Sequence, residues 1–499
     1  MDLFSNLWLG FGVAASLQNL LYCMIGALLG TMVGVLPGIG PVTTVALLLP
    51  ISFTLDPVSA LIMMAGIYYG AQYGGSTTAI LINIPGEASS VVTSLDGHQM
   101  ARQGRAGPAL GIAALGSFFA GCAAALIIAM GAPPLARIAL QFGPAEYFSL
   151  MVCGLVAAVV LAHGSVVKAI GMVILGLIFG LAGSDINSGV RRFTFEVQGL
   201  ADGVEFVALS MAIYGLAEVA VNLERAEVKA AIAHSVGRVL PSWDDIRRCI
   251  PSVLRGTALG SLLGVLPGGG ALLASFAAYT LEKKVARPPR HFGHGDIRGV
   301  AAPEAANNAG AQTSMVPMLT LGIPSNPTMA LMIAALMVHG ISPGPRVMTD
   351  RPELFWGVVA SMWIANLMLV ILNLPLVGLW VRLVRIPYRL MFVAIVAFCC
   401  VGTYTINMNV TDLAVLAFFT VFGYLCLKLG CEPAPLILGF VLGPMMEENL
   451  RRALLISRGD PAIFLASPIS VGFLVASALL LIVVAAPVVR RRRDEAMVE

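Results

Sequence analysis

Two glycine-proline phrases occupy similar places in the two halves of this 499-residue chain, GVLPGIG at 34–40 and GVLPGGG at 264–270. Proline lacks an amide hydrogen and clashes with the preceding helical turn, and glycine adopts backbone angles that other residues avoid. Each phrase therefore predicts a helix that is broken inside an apolar stretch. A broken helix exposes backbone amides and carbonyls, and the helix that starts there has a partly positive end. The chemistry that suits such a place is non-covalent binding of small ions.

A second interruption follows each phrase. The first copy runs GAQYGGSTT at 70–78 and ends at NIPGE, 83–87, whereas the second runs NNAGAQTS at 307–314 and ends at GIPSNPT, 322–328. Both copies share Gly-Ala-Gln followed by Ile-Pro. Helices that are broken at corresponding points of two halves indicate the binding site of a transporter.

Two groups of residues at the breaks are candidates for binding. An anionic substrate could be held by half-helix ends, free amides and nearby hydroxyls at Pro37, Gly38, Gly40, Thr43, Thr44, Pro85, Gly86, Pro267, Gly268, Gly269, Gly270, Ser275, Pro324, Ser325, Asn326 and Thr328. Hard oxygen ligands for a coupling Na⁺ are offered by Ser76, Thr77, Thr78, Glu304, Asn307, Asn308 and Gln312. Each polar side chain has an alternative role, because Ser, Thr and Asn also cap helices or bond to neighbouring helices.

Two acidic residues in apolar surroundings need separate consideration, because a charge deep in a membrane is costly and by default indicates function. Glu304 precedes the Asn307-Asn308 pair and is the strongest candidate for a coupling or gating carboxylate. Glu87 directly follows a helix break, where a carboxylate would repel an anion unless it carried a proton or paired with a cation. An interfacial loop position explains Glu87 equally well.

Composition places the chain in a membrane. Hydrophobic residues make up 58% and charged residues 11% of it, whereas soluble proteins carry about 25% charged residues. The mean hydropathy is +0.88, and the net charge of +3 is too small to indicate nucleic acid as a partner. The chain has no GxxxxGK[ST] phosphate loop and no Cys/His metal spacing, so we expect neither an enzyme nor a bound cofactor or metal other than a coupling cation.

The predicted fold is an all-α polytopic membrane protein with about 10–12 transmembrane helices plus re-entrant or broken hairpins. We expect a first membrane repeat at 1–222, with breaks near 34–41 and 70–87, and a second at 256–489, with breaks near 264–270 and 304–328. A cytoplasmic loop at 223–255 would join them, and a basic tail at 490–499 would lie in the cytoplasm by the positive-inside rule.

The second phrase predicts a re-entrant hairpin. Arg255 precedes it and Glu282, Lys283 and Lys284 follow it. The stretch between these charges is too short for two crossings of about 20 residues each, so it predicts two arms that each span about half the bilayer. Exposed backbone at the tip is tolerated only where it lines a protein-enclosed or water-filled cavity.

A third pair of similar segments supports an internal duplication, and each such pair is called an echo below. Gly176 and Gly180 precede Asp185 and an Arg pair, and Gly439 and Gly443 precede Glu448 and another Arg pair. Charges near the hairpins favour an inverted over a parallel orientation of the two repeats, because the loop near Asp56 has no Lys or Arg while its counterpart at 283–298 is basic. Arg105 and Arg346, which occupy similar places in the two halves, favour the parallel alternative, so both orientations stay open.

Five long phrases resemble the TctA family, the large membrane subunits of bacterial tripartite tricarboxylate transporters. They are GVLPGIGPVTTVALLLPISF, INIPGEASSVVTSLDGHQMARQGRAGPALG, GVLPGGGALLASFAAYTLEKK, LGIPSNPTMALMIAALMVHGISPGPRVM and GFVLGPMMEENLRRALLISRGD. The resemblance implies a secondary, cation-coupled importer of carboxylates in the bacterial inner membrane, driven by Na⁺ or H⁺. It also implies two partners, a small four-helix membrane subunit (TctB-like) and a periplasmic solute-binding protein (TctC-like).

One alternative remains open from the residues. A stand-alone carrier or a channel for small organic anions would need no binding protein. Channels commonly show one continuous polar path, whereas two duplicated hairpins suit alternating access around a midplane site.

Overall fold

The computed structural model describes residues 3–36, 40–83, 86–162, 165–185, 188–225, 239–266, 270–383 and 388–485, and most of them are helical. The described part of the chain contains two strands of two residues each, β1 (Gly183–Ser184) and β2 (Arg191–Arg192), which pair antiparallel. The predicted all-α class is therefore confirmed. The basic tail at 490–499 lies outside the described residues.

Ten α-helices come before the predicted boundary between the halves. They are α1 (Leu3–Ala14), α2 (Leu17–Gly34), α3 (Pro41–Ser52), α4 (Pro57–Ile82), α5 (Val91–Arg102), α6 (Ala106–Ala139), α7 (Pro144–Leu161), α8 (Val166–Gly180), α9 (Phe206–Ser210) and α10 (Glu218–Arg225). Short 3₁₀ turns lie at Ala88–Ser90 and Gln198–Leu200, and a π-helical segment, Met211–Ala217, joins α9 to α10.

The remaining helices follow the boundary. They are α11 (Trp243–Gly264), α12 (Gly270–Val285), α13 (Arg298–Thr313), α14 (Met315–Leu321), α15 (Pro327–Val338), α16 (Val347–Asp350), α17 (Pro352–Asn373), α18 (Val377–Leu383), α19 (Tyr388–Asn407), α20 (Val410–Lys428), α21 (Ala434–Ile456), α22 (Ile463–Ala466) and α23 (Pro468–Ala485).

Four of the described helices, α2, α6, α17 and α20, are long and apolar enough to cross a membrane. Shorter apolar helices such as α3, α8 and α15 accompany them. This pattern confirms a polytopic membrane protein, while the count of about 10–12 transmembrane helices stays a prediction. Four cysteines, at 23, 249, 399 and 426, are buried as small core residues, whereas Cys400 is exposed.

The first hairpin is shaped by glycines on α2 that pack against α4. A Cβ atom at Gly26, Gly30 or Gly34 would come closer than 3.0 Å to a backbone carbonyl oxygen of α4, those of residues 63, 67 and 71 respectively. Contacts that advance together along both helices show that α2 and α4 run in the same direction. The chain must therefore return through α3 between them, so α2 and α3 form a helical hairpin.

The second hairpin repeats this arrangement. A Cβ atom at Gly256, Gly260 or Gly264 on α11 would come closer than 3.0 Å to the carbonyl oxygens of residues 302, 306 and 310 on α13. The helices α11 and α13 consequently run in the same direction, and α12 returns between them. The entry and exit of the chain on one side agree with the predicted hairpin, while the depth of its tip in a bilayer stays a prediction.

The arms of the second hairpin are longer than expected. The helix α11 begins at Trp243, inside the predicted loop 223–255, and has 22 residues, and α12 has 16. Ser242 caps α11 by accepting a hydrogen bond from the amide of Asp245 at 3.1 Å. Arg255 lies inside α11 instead of ending that arm, whereas Glu282, Lys283 and Lys284 lie in the last turn of α12 as expected. Arg255 and Glu282 bind each other across the hairpin at 2.8 Å.

Helix directions distinguish the three sequence echoes. Ser76 of α4 bonds to Glu304 of α13, and Tyr69 of α4 bonds to Met315 of α14, so these two corresponding stretches run in opposite directions. In the third echo, Gly439 packs against Val173, and Gly443 against Leu177, so α8 and α21 run in the same direction. Inverted repeats place corresponding helices in opposite directions. The second interruptions on α4 and on α13–α14 fit that arrangement directly, and the glycine-proline phrases fit it because α2 runs with α4 and α11 runs with α13. The third echo does not fit it, and the duplication itself stays a prediction.

Candidate functional site

Three interruptions of the first half meet at one point, the first junction, formed by Gly34, Gly75 and Gly86. The amide of Gly86 donates to the carbonyl of Gly75 at 3.4 Å. A Cβ atom at Gly86 would lie closer than 3.0 Å to the oxygen of Gly34 and to the Cα of Gly75. Glycine is needed there because three backbones come together without room for a side chain. The end of α2, the C-terminal part of α4 and the turn after α4 therefore share one position.

The second half forms an equivalent point, the second junction, from Gly264, Ser314 and Ser325. Ser314 donates its hydroxyl to the carbonyl of Gly264 at 3.2 Å, and to Gly310 at 2.7 Å. Ser325 donates to the carbonyl of Ser314 at 3.0 Å. Hydrogen bonds from hydroxyl groups hold the second junction together, whereas close glycine contacts hold the first junction together. The end of α11, the joint between α13 and α14, and the turn before α15 thus converge.

Left-handed residues end the helices that lead into both turns. The last residue of α4 is followed by Asn83 with φ 58°, and α14 is followed by Gly322 with φ 72°. Asparagine and glycine are the residues that most readily adopt this conformation. Both helices therefore stop just before Ile-Pro, as the sequence predicts.

Each junction is contacted by a polar residue from the other half. Asn307 of α13 donates its side-chain amide to Glu87, next to the first junction, at 3.3 Å. Asn326, next to the second junction, donates to the hydroxyl of Tyr68 on α4 at 3.4 Å. The number of residues between Tyr68 and Asn307 equals the number between Glu87 and Asn326. The two contacts occupy equivalent positions in the two halves.

Two helix N-termini face the second junction. Asn326 caps α15, accepting from the amide of Met329 at 3.0 Å, and Pro327 occupies the first helical position. The helix α12 starts at Gly270, which has φ +50° and whose Cβ position would lie 3.9 Å from Asn326. The partly positive ends of α12 and α15 thus lie close together, an arrangement that favours a negative group.

Glu304 lies between the halves, buried with 1% of its surface exposed. One carboxylate oxygen accepts a hydrogen bond from Ser76 at 2.7 Å, and the other accepts one from the hydroxyl of Thr93. Its backbone carbonyl accepts from Asn308 at 3.1 Å, and Asn308 also donates to Ser117 at 2.7 Å. All these donors are neutral.

A small cavity lies beside Glu304. It offers about 20 Å³ to the centre of a water-sized molecule, and its polar lining consists of Tyr73, Ser76, Thr77, Ser117, Glu304 and Asn373. Among the described residues, the hydroxyl of Tyr73 and the side-chain oxygen of Asn373 are buried without a hydrogen-bond partner. Buried polar atoms are nearly always partnered, so these two atoms require an explanation.

Several candidate hydroxyls bond to helix carbonyls instead of facing a junction. Thr43 donates to the carbonyl of Tyr214 at 2.5 Å, and Thr44 to that of Gly40 at 3.0 Å. Ser275 donates to Ala271 at 3.0 Å. The alternative role of helix packing therefore describes these three side chains.

The remaining candidates divide by position. Gly40 precedes α3, Thr77 and Thr78 bond within α4, and Gln312 donates to Asn366 at 3.0 Å. Pro324 is buried at the turn before α15, and Thr328 is buried in the first turn of α15. Pro37, Gly38, Pro85, Pro267, Gly268 and Gly269 lie outside the described residues. The structure thus brings Gly86, Gly270, Ser325, Asn326, Ser76, Glu304, Asn307 and Asn308 to the junctions and the Glu304 cluster.

Tyr68, Tyr73, Thr93, Ser117 and Asn373 belong to these clusters and were not predicted. Tyr68 could have been found by aligning the halves at Ile-Pro, which places it opposite Asn307. Tyr73 lies within the interruption at 70–78, opposite Thr313 when the halves are aligned at Gly-Ala-Gln, so a comparison of the halves does not single it out. Thr93, Ser117 and Asn373 come from segments without a recognisable repeat. In the described part of the chain no group of three His, Cys, Asp or Glu side chains forms a metal site.

Outside the helices that could cross a membrane, buried Asp96 of α5 fixes the loop between α12 and α13. Its carboxylate accepts from the amides of Gly293, Gly295 and Asp296 at 2.8–2.9 Å. Within that loop, burial raises the pKa of Asp296, but hydrogen bonds from Arg298 and from backbone amides outweigh burial and hold the pKa below its ordinary value. The loop thereby ties the second hairpin to the first half.

Residues 20–438 match the family described as "Tripartite tricarboxylate transporter TctA family". Over its whole length the chain is 55% identical to an Agrobacterium vitis protein described as "Uncharacterized 52.8 kDa protein in TAR-I ttuC' 3'region", 99% of which is covered. A second A. vitis protein, "Uncharacterized protein in TAR-II ttuC' 3'region", is 56% identical over 48% of this chain and 99% of its own length. No solved structure matches.

Proposed function

The chain belongs to the tripartite tricarboxylate transporter TctA family, and we propose from that membership that it is the large membrane subunit of a secondary, cation-coupled importer of tricarboxylates or related carboxylates. The family makes it a membrane transport component rather than an enzyme. The carboxylate would be held between the two junctions, near the middle of the bilayer, and would be exposed alternately to the two sides.

One observation supports this proposal above the others. Two sets of helix breaks, each built from three separate segments, converge at Gly34–Gly75–Gly86 and at Gly264–Ser314–Ser325. Backbone that is not helical is stable at membrane depth only where protein encloses it or where it lines a cavity. Paired breaks of this kind are where secondary transporters bind their substrates.

The charges near the junctions suit an anion that travels with a cation. The N-termini of α12 and α15 favour a carboxylate, whereas an ionised Glu87 beside the first junction would repel one. Binding a Na⁺ or a proton near Glu87 and Glu304 would remove that repulsion. The affinity for the carboxylate would then depend on the cation, which is the basis of symport.

We propose two further subunits, since the family is tripartite: a small four-helix membrane subunit (TctB-like) and a periplasmic binding protein (TctC-like) that delivers the substrate. The protein would lie in the bacterial inner membrane, with its basic C-terminal end in the cytoplasm. No cofactor other than the coupling Na⁺ or H⁺ is required by this mechanism.

The test is uptake of labelled citrate into proteoliposomes that contain this chain and the small subunit. Uptake is measured with and without the binding protein, and with a Na⁺ gradient or a proton gradient imposed separately. Strong uptake that needs both the binding protein and one gradient supports the proposal. Uptake without the binding protein would identify a stand-alone carrier, and gradient-independent flux would identify a channel.

A further inference from the structure

We infer that the cavity beside Glu304 is a Na⁺ site, and this inference rests on the proposed function because it names the coupling cation. The cavity lies between α4, α6, α13 and α17, where the two halves of the chain meet. Its lining shares no residue with the first or the second junction.

The charge of Glu304 provides the first argument. The carboxylate is buried among hydroxyls, amides and apolar side chains, and the described lining of the cavity contains no Lys, Arg or His. A buried carboxylate without a cationic partner is unstable in a medium of low polarity. A bound cation neutralises it.

The unpartnered atoms provide the second, independent argument. Tyr73 and Asn373 are only 4% and 5% exposed, and each has an oxygen atom without a hydrogen-bond partner among the described residues. The amide nitrogen of Asn373 donates to the carbonyl of Leu369 at 2.9 Å, which fixes its oxygen on the other side. Both side chains line the same cavity as Glu304. An occupant of the cavity accounts for both atoms.

The size and chemistry of the cavity fit a small cation. Its volume of about 20 Å³ exceeds the roughly 10–15 Å³ that one water-sized particle needs, and it is far too small for a tricarboxylate. The polar atoms that remain available are carboxylate, hydroxyl and amide oxygens, which are hard ligands suited to an alkali cation rather than to a transition metal. A proton alone would protonate Glu304 but would leave the oxygens of Tyr73 and Asn373 unpartnered.

The site also explains how a cation could act on both halves. Ser76 comes from the first half, and Glu304 and Asn373 come from the second. Ser76 lies on α4 next to Gly75 of the first junction, and Glu304 lies one helical turn from Asn307, which contacts Glu87. Occupation of the cavity would therefore stabilise the contact between α4 and α13 that supports the first junction.

The test uses the full chain in nanodiscs, without carboxylate and without the other subunits. Its Tm is measured in NaCl and in KCl at equal ionic strength, and ²²Na⁺ binding is measured by scintillation proximity. We expect a saturable rise of Tm with Na⁺ and matching ²²Na⁺ binding. Glu304→Gln removes both effects. Glu218→Gln, the same change at another carboxylate, which accepts a hydrogen bond from Thr43 at 3.3 Å, keeps both.

Tyr73→Phe keeps the inference testable if Glu304→Gln does not fold. This variant loses only an unpartnered hydroxyl, so in KCl it is at least as stable as the native protein, while its Na⁺ affinity falls by roughly tenfold. Equal ²²Na⁺ binding by the native protein and Glu304→Gln would overturn the inference. A Tm that responds to pH but not to Na⁺ would overturn it in favour of a proton site.

The two proposals can fail separately. Na⁺ binding without citrate uptake in the reconstituted system would contradict only the transport function. Proton-driven citrate uptake by a protein that binds no Na⁺ would contradict only the Na⁺ site.

Discussion

Arg255 of α11 donates two hydrogen bonds to Glu282 of α12, at 2.9 and 2.8 Å, and so joins the two arms of the second hairpin. Glu282 is almost fully buried, with 1% of its side chain exposed, whereas 36% of the Arg255 side chain is exposed. Ser252 donates a third hydrogen bond to the same carboxylate at 2.8 Å. The pair allows Arg255 to lie within α11 rather than at its end.

We expect Arg255→Gln to destabilise the protein by about 2–4 kcal/mol, because it leaves a buried carboxylate without its cation. The measurement is the midpoint of SDS-induced unfolding of the purified protein. Arg452→Gln is the matched control, since it breaks a pair with Glu448 whose side chains are 63% and 49% exposed. The control should lose no more than about 1 kcal/mol. Equal losses in both variants would show that the hairpin pair has no special role.

Close contact between α11 and α13 gives a second prediction. A Cβ atom at Gly264 would come closer than 3.0 Å to the oxygen of Gly310 and the hydroxyl of Thr313. Gly264→Ala should therefore destabilise the fold by about 1–3 kcal/mol through overpacking and lower the uptake rate. At Gly171 on α8 nothing lies within 4 Å of the Cβ position, so Gly171→Ala should be neutral or slightly stabilising. If both alanine variants melted at the same temperature, the close approach would be refuted.

The loop between α12 and α13 predicts a pH dependence on the acid side. The pKa of Asp296 is held below its ordinary value in the folded protein, chiefly because hydrogen bonds from Arg298 and from backbone amides outweigh the effect of burial. A carboxyl with a depressed folded pKa stabilises the protein fully above its unfolded pKa, about 3.9 for Asp. That stabilisation is lost as the pH falls through the folded pKa.

Asp296→Asn should therefore melt at a lower temperature than the native protein at pH 6, and the difference should shrink below a pH of about 4. Thermal unfolding at a series of pH values measures it. Asp350→Asn is the control, because Asp350 accepts a hydrogen bond from neighbouring Thr349 at an exposed position. A difference between Asp296→Asn and the native protein that stays constant down to pH 3 would contradict the assignment.

The fold class and the helix breaks could be predicted because they depend on local chemistry. Composition determines the membrane class, and Pro, Gly and Asn at the breaks limit the backbone directly, as the left-handed Asn83 and Gly322 illustrate. The similar order of the breaks in both halves is also visible without a structure. These features need no knowledge of distant contacts.

Other features depend on contacts between distant segments and could not be predicted. The length of the hairpin arms was underestimated because Arg255 and Glu282 neutralise each other, which residue spacing does not reveal. The cavity beside Glu304 needs Tyr73 and Asn373, which are brought together only by the packing of α4 against α17. Thr43 and Ser275 were predicted from their distance to a break, but each faces a helix carbonyl instead.

The central claim is that the N-terminus of α15 at the second junction holds a carboxylate during transport. Asn326→Asp tests it, because aspartate still caps the helix but places a negative charge where the substrate would bind. Asn409→Asp is the matched control, since Asn409 caps α20 in the same way, accepting from Thr411 at 2.9 Å.

The decisive measurement is the initial rate of labelled citrate uptake into proteoliposomes that contain each variant together with the small subunit and the binding protein. The account predicts that Asn326→Asp melts like the native protein but takes up citrate at least about tenfold more slowly, a difference of about 1.4 kcal/mol. Asn409→Asp should stay within about twofold of the native rate, a difference below about 1 kcal/mol. Native rates of uptake by a well-folded Asn326→Asp would contradict the claim that the junction binds the carboxylate.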